Sequence, residues 1–247
     1  MNHCDFSAVA LEHPKEVAVS EYRSTMVLPL AIPKLSEKKI DTKLDLILWS
    51  RDSKESALKV NPGDKIYVYG CKIRYNLDDR KWRLENGRIV KVSDAFPIIN
   101  NVVVTGKTIR PCEDRNFQVF DNGNMMARSA MSVPVGRGNA DIISLIAWNG
   151  SDDQYQPAKI IKDFTDKGTG LTVLGRLGTS SWKDNQSGET RSKSEVLVKS
   201  LWLAPKNQPR TEEIEPQTTV AQEESTTSLW STNLTEPGLP ELPEPAF

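Results

Sequence analysis

An internal repeat constrains this chain more than any other feature. Leu46-Ile47-Leu48-Trp49 returns as Leu145-Ile146-Ala147-Trp148, and PGDKIYVYG (Pro62 to Gly70) returns as KGTGLTVLG (Lys167 to Gly175). Ala31-Ile32-Pro33 lies ahead of the first pair as Ser132-Val133-Pro134 lies ahead of the second, and Ile89-Val90-Lys91-Val92 follows as Val196-Leu197-Val198-Lys199 does. A match that keeps its order and places its one large gap in a connection predicts a duplicated domain. The 247 residues are enough for two small domains, each burying its own core.

The second copy states its architecture more openly. Short β-rich runs occur at Val102 to Val104, Phe117 to Phe120, Ser144 to Trp148, Leu171 to Gly175 and Val196 to Val198, with turn-formers at Asp121-Asn122-Gly123 and Ser187-Gly188. Such spacing predicts a small barrel. One helical stretch, Gln156 to Phe164, falls between the third and fourth runs, with Ala158, Ile161 and Phe164 on one face. An OB-fold places its helix at that point. The expected fold is therefore all-β: two tandem OB-fold five-stranded barrels, residues 1–98 and 99–204, followed by a disordered acidic tail, 205–247.

The tail expectation rests on composition. Residues 205–247 hold two basic and eight acidic residues among many Pro, Ser and Thr, and such a segment buries too little to offset its ordering entropy. Residues 1–204 then carry a small positive excess, the pattern of a polyanion binder. Two apolar islands interrupt the tail, Leu229-Trp230 and Ala246-Phe247, and Phe247 is the candidate partner-docking residue.

Other functions find little support. Cys4, Cys71 and Cys112 are odd in number and widely spaced, which argues for buried thiols rather than a disulfide framework, and His3 and His13 lack the further ligands a zinc site needs. GxGxxG, GxxxxGKS/T, HExxH and GxSxG are all absent, so no enzyme, cofactor or metal is expected. No apolar run reaches membrane-spanning length and no secretory leader opens the chain, which predicts a cytoplasmic, nucleoid-associated protein with no membrane partner.

Nucleic-acid binding has residues behind it. Single strands are held without sequence preference by rings that stack on any base and cations that follow the phosphates. The second domain offers Trp148 and Trp182 with Arg128, Arg137, Arg176, Lys183, Arg191 and Lys193; the first offers Trp49, Tyr67, Tyr69, Tyr75 and Trp82 with Arg51, Lys72, Arg74, Lys81 and Arg83. Any of these rings could instead fill a barrel core. Trp182, in the polar run Ser-Ser-Trp-Lys-Asp-Asn-Gln-Ser-Gly, has least around it to bury it.

Residues from about 101 to 204 resemble the OB domain of bacterial single-stranded DNA-binding proteins. The resemblance is carried by the opening Asn101-Val102-Val103-Val104-Thr105-Gly106-Lys107, then Met131-Ser132-Val133, Leu145 to Asn149, Asp166-Lys167-Gly168 and Val173 to Leu177. Its most specific stretch is Trp182 to Arg191, closing on Glu195 to Val198. It implies that Trp182 and Trp148 stack on bases, that Arg176 is the family's basic residue after the glycine, and that two such chains form a homodimer presenting four OB domains. Replication, recombination and repair are the implied setting, with replication and repair proteins recruited by the tail. Gly136-Arg137-Gly138 stands where the family has a further tryptophan, and the chain ends Glu244-Pro245-Ala246-Phe247 without the family's aspartate run. The first domain lacks the opening Asn-x-x-x-x-Gly pattern, so its DNA contacts are open. An OB-fold interaction scaffold and an RNA-binding OB protein are the competing readings.

Overall fold

Strict alternation builds the first strand: in β1 (Asn2–Ala10), Cys4, Phe6, Ala8 and Ala10 are buried, while the residues between them are less so. This period of two places one face of each strand against a core. The computed structural model describes residues 1–34, 36, 40–76, 81–136, 138–150, 153–183 and 188–205. Arg137, Phe247 and the expected tail from residue 206 lie outside them.

After β1 come β2 (Lys15–Ser20), β3 (Arg23–Ile32), β4 (Thr42–Leu48), α1 (Arg51–Ala57), β5 (Lys65–Asn76), β6 (Lys81–Glu85) and β7 (Arg88–Lys91). Strand β1 pairs with β3, β3 with β4, β4 in parallel with β6, β6 with β5, and β5 back with β1, closing a five-stranded barrel. The second copy follows as β8 (Asn100–Thr108), β9 (Phe117–Val119), β10 (Met125–Gly136), β11 (Asn139–Asn149), α2 (Pro157–Phe164), β12 (Gly170–Lys183) and β13 (Thr190–Leu203). Here β8, β10, β11, β13 and β12 close in the same order, with β11 and β13 parallel. Each barrel is an OB-fold, with its helix between the third and fourth barrel strands.

Two sequence readings shift by one element. Leu46 lies opposite Leu84 as Leu145 lies opposite Val196, so β6 and not the Ile89–Val92 run is the counterpart of β13. Ile89 belongs to β7, which among the described residues pairs only with the outer edge of β5. The short, charge-rich KWRLE of β6 hides its strand character, whereas RIVK advertises it. In the second barrel Phe117 to Phe120 is not a barrel strand: among the described residues β9 pairs only with the start of β10, and β10 takes the second barrel position.

Strands β1 and β8 pair antiparallel, Asn2 opposite Val104 and Phe6 opposite Asn100, so a pseudo-twofold axis passes between Cys4 and Val102. The asparagines obey it. Asn2 Nδ2 donates to Ile73 O at 2.7 Å and Ile73 N donates to Asn2 Oδ1 at 2.9 Å; Asn100 Nδ2 donates to Leu177 O and Leu177 N to Asn100 Oδ1, both at 2.8 Å. Each barrel also leans the start of its third barrel strand on the other's fourth. Thr42 meets Thr179 at 2.8 Å, which in turn meets Ser194 at 2.6 Å, and Asp141 accepts from Arg74.

Close packing makes one glycine obligatory. A Cβ on Gly106 in β8 would stand 2.1 Å from the carbonyl oxygen of Ser132 on β10. Gly106→Ala is therefore expected to cost about 1–3 kcal/mol through overpacking, read as a lower urea midpoint.

The register also brings together two cysteines that the sequence separates: Cys4 lies directly opposite Cys71, both fully buried thiols. Burial pushes the Cys4 thiol up to about 12 and Cys71 well above its ordinary range. The unfolded thiol ionises near 9.0 while folded Cys4 keeps its proton to about 12. Its stabilising contribution is thus intact below pH 9, and stability is expected to fall as pH rises from there. Native protein at pH 8 should leave all three thiols unreacted with a thiol reagent, and denatured protein should react at three.

Candidate nucleic-acid interface

Because opposite residues in an antiparallel pair share a face, the registers sort the candidate side chains. On β11 the row Ile142, Ser144, Ile146 and Trp148 faces away from the barrel core, opposite Ser132, Ala130, Arg128 and Met126 on β10, with Ile146, Ala130 and Met126 themselves buried. Trp148 is 47% exposed at the end of this row, and Arg128 is exposed beside it. Its ring stacks on Phe120, centroids 5.5 Å apart and planes 19° apart. Phe120 is held by a turn in which its N–H donates to Asn124 O and Gly123 N donates to Phe120 O; Gly123 supplies the positive φ of +77°. Phe120 was not singled out from sequence. Its signal is an aromatic residue directly before the Asp-Asn-Gly turn.

Strands β12 and β13 run on past the barrel as a two-stranded ribbon. Trp182 lies opposite Arg191, and Ser180 opposite Lys193, so both pairs share one ribbon face with Arg176 further down β12. Trp182 is 47% exposed, and Arg176, Lys183 and Arg191 are exposed as well. Lys183 opposes Thr190 on the other face. Lys193 is bound to Glu195 at 2.6 Å. Since β11 pairs with β13 through Ile146 and Leu197, the Trp148 row and the Arg176–Trp182 row lie on the same face of the sheet, with the exposed side chains at Trp148, Arg128, Arg176, Trp182 and Arg191. This face offers two rings able to stack on bases, with guanidinium groups alongside.

The first barrel spreads its candidates more widely. Trp49 follows β4 and is 41% exposed; Arg51 opens α1 and pairs with Glu55 at 2.9 Å. Tyr67 and Tyr69 share the outer face of β5, but they stack on each other at 5.4 Å, and Tyr67 also packs on Phe96 at 5.3 Å. Burial, then the Asp5 carboxylate, raises the Tyr67 hydroxyl above its ordinary value. Tyr75 meets Trp82 edge-on at 5.5 Å, and Trp82, at 9% exposure, is a core residue rather than an exposed platform.

Lys72 is exposed, whereas Arg74 is engaged by Glu85 at 2.9 Å and by Asp141. Burial works against its charge, but the two carboxylates outweigh it and raise its pKa. Arg83 also binds Glu85, at 3.0 Å. No helix among the described residues is long and apolar enough to cross a membrane.

No protein-family model matches the chain. Over 117 residues it is 27% identical to single-stranded DNA-binding protein 2 of Nostoc sp. (strain PCC 7120), a match covering 47% of this chain and 84% of that one. A single-stranded DNA-binding protein of Enterococcus faecalis is 28% identical over 112 residues, covering 43% of this chain and 54% of its own. Among solved structures, the wild-type single-stranded DNA binding protein of Thermus aquaticus superposes with a TM-score of 0.62 at 15% identity, over 87% of this chain and 98% of that one. A deletion mutant of the same Thermus protein gives 0.63.

Proposed function

We infer that this chain, a bacterial-type single-stranded DNA-binding protein built as two tandem OB folds, coats unwound DNA without sequence preference and without catalysis, in replication, recombination and repair. The observation that carries the reading is the outward surface of the second barrel, where Trp148 and Trp182 stand about half exposed with Arg128, Arg176 and Arg191 on the same surface. Bases stack on the two rings and the guanidinium groups follow the phosphates, with Lys183 meeting the strand from the opposite face of the ribbon. In the first barrel Trp49 and Lys72 are the available counterparts. Arg74 is left to its ion pairs, and Tyr67 and Tyr69 to their packing with Phe96.

The same reading takes the protein to be cytoplasmic and a homodimer with four OB domains, checked by sedimentation, and takes Phe247 to recruit replication and repair proteins. Titration of tryptophan fluorescence with oligo-dT at several salt concentrations tests the core claim. Quenching is expected, with the logarithm of affinity falling on the logarithm of salt with a slope near −3, as about four phosphate contacts give. No quenching and no retention of DNA at low salt refutes it, and tighter binding of oligo-U than of oligo-dT moves the assignment to RNA.

A further inference from the structure

Phe120, the ring beneath Trp148, stands near the end of the connection from β8 to β10, directly after β9. That connection has little to hold it in place by itself. Strand β9 is three residues long and, among the described residues, pairs only with the start of β10; Gln118 and Val119 are exposed and Phe117 is half-buried. So short a strand buries too little to fix its own position. Two other contacts fasten the connection: Cys112, buried in the core, and Lys162 of α2.

The Lys162 ammonium donates to Cys112 O at 3.2 Å and to the Asp114 carboxylate, and it lies 5.9 Å from the centroid of the Phe117 ring. All three groups belong to the one connection. Asp114 is almost fully exposed, so that ion pair alone would be a weak surface bridge. The carbonyl and the ring give the contact its direction, since the ammonium has three N–H donors to share. A path of contacts therefore runs from α2 through Phe117 and β9 to Phe120, and from Phe120 to Trp148.

The first barrel fastens the corresponding connection with other residues. Lys54 of α1 donates to Ser24 O at 2.7 Å and to Ser24 Oγ at 3.0 Å, and lies 3.7 Å from Glu16 of β2. Met26 faces Leu48 as Ala127 faces Ala147, and Val17 faces Thr25 as Gln118 faces Met126, so Val19 takes the register position of Phe120. A helix lysine thus holds the connection in both copies, but in the second the connection delivers an aromatic ring to the tryptophan.

We propose that Lys162 is a positioning residue for the stacking site: by holding the β8–β10 connection against α2 it keeps Phe120 beneath Trp148 and so presets the ring on which a base stacks. The proposal rests on the single-strand reading above and adds to it a residue that acts without touching DNA.

The experiment compares Lys162→Met, which keeps the apolar stem and removes the ammonium, with Lys162→Arg. Binding of fluorescein-labelled oligo-dT is read by anisotropy, and the full chain carrying 5-fluorotryptophan is read by fluorine NMR, with the Trp148 line assigned by its loss in Trp148→Phe. Lys162→Met is expected to weaken binding about threefold to tenfold, the effect of having to order one large side chain on binding. The slope of affinity on salt should stay unchanged, the Trp148 line of the free protein should move toward its position in Phe120→Leu, and the Trp182 line should stay where it is. Lys162→Arg should restore most of the affinity, and Lys162→Met should be silent in a Trp148→Ala background. An unmoved Trp148 line overturns the proposal, as does a salt slope smaller by about one, which would mean that Lys162 meets a phosphate itself. Wild-type protein that binds no oligo-dT at any salt overturns the single-strand reading instead, while the Trp148 line still decides in the free protein whether Lys162 holds the ring.

Discussion

Replacing Arg74 with Ala is expected to destabilise the folded chain by about 3–5 kcal/mol, the range found when one partner is removed from a buried ion pair. The Arg74 guanidinium reaches Glu85 on the neighbouring strand at 2.9 Å and Asp141 on the other barrel. Side-chain exposures of 22%, 11% and 10% for Arg74, Glu85 and Asp141 keep water from screening the group. Without the cation, Asp141 loses its arginine and Glu85 keeps Arg83 at 3.0 Å, and a largely buried carboxylate is costly to hold ionised there. Arg74→Lys is expected to recover part of the loss, because a single ammonium cannot fork between two carboxylates as a guanidinium does. Asp141→Asn should cost less than Arg74→Ala, since Glu85 still pairs with the arginine. Urea unfolding of the three variants reads the order directly. A shift below about 1 kcal/mol for Arg74→Ala would mean that the cluster behaves as a surface pair.

Arg74 also marks where sequence reading stops. In the string CKIRYN it is a cation among aromatics and reads as a phosphate contact, because nothing nearby in sequence announces Asp141 from the other barrel. Trp82 misleads in the same way: beside Lys81 and Arg83 it looks like a stacking platform, while the register places it on the core side with Leu84. What was legible is what local pattern determines. The LILW and LIAW runs announced the third strand of each barrel, QPAKIIKDF the helix, and the polar run around Trp182 an exposed ring. The fifth strand of the first barrel was missed because β6 is five residues long and rich in charge. The lean of Thr42 on Thr179, like the pairing of Cys4 with Cys71, spans the repeat or the barrel and leaves no local trace. Long-range contacts of this kind depend on closure of the barrels, which periodicity implies but does not locate.

Trp148→Ala and Trp182→Ala are each expected to weaken oligo-dT binding by about 1–3 kcal/mol, roughly 5- to 150-fold, as the loss of one stacked base does. The two should differ in kind. Trp148 is already stacked on Phe120 at 5.5 Å, so its ring is oriented before DNA arrives and little ordering entropy opposes stacking. Trp182 stands on the β12–β13 ribbon with Arg191 opposite and is 47% exposed. Phe120→Leu should therefore lower affinity through Trp148 without touching DNA, and should lose its effect in a Trp148→Ala background, a coupling that a double-mutant cycle measures. Trp182→Ala should add to Phe120→Leu independently, since the two residues have no ring contact with each other. Full additivity of Phe120→Leu with Trp148→Ala would show that Phe120 acts on the DNA itself, and a normal affinity in Trp148→Ala would remove the β11 row from the binding surface altogether.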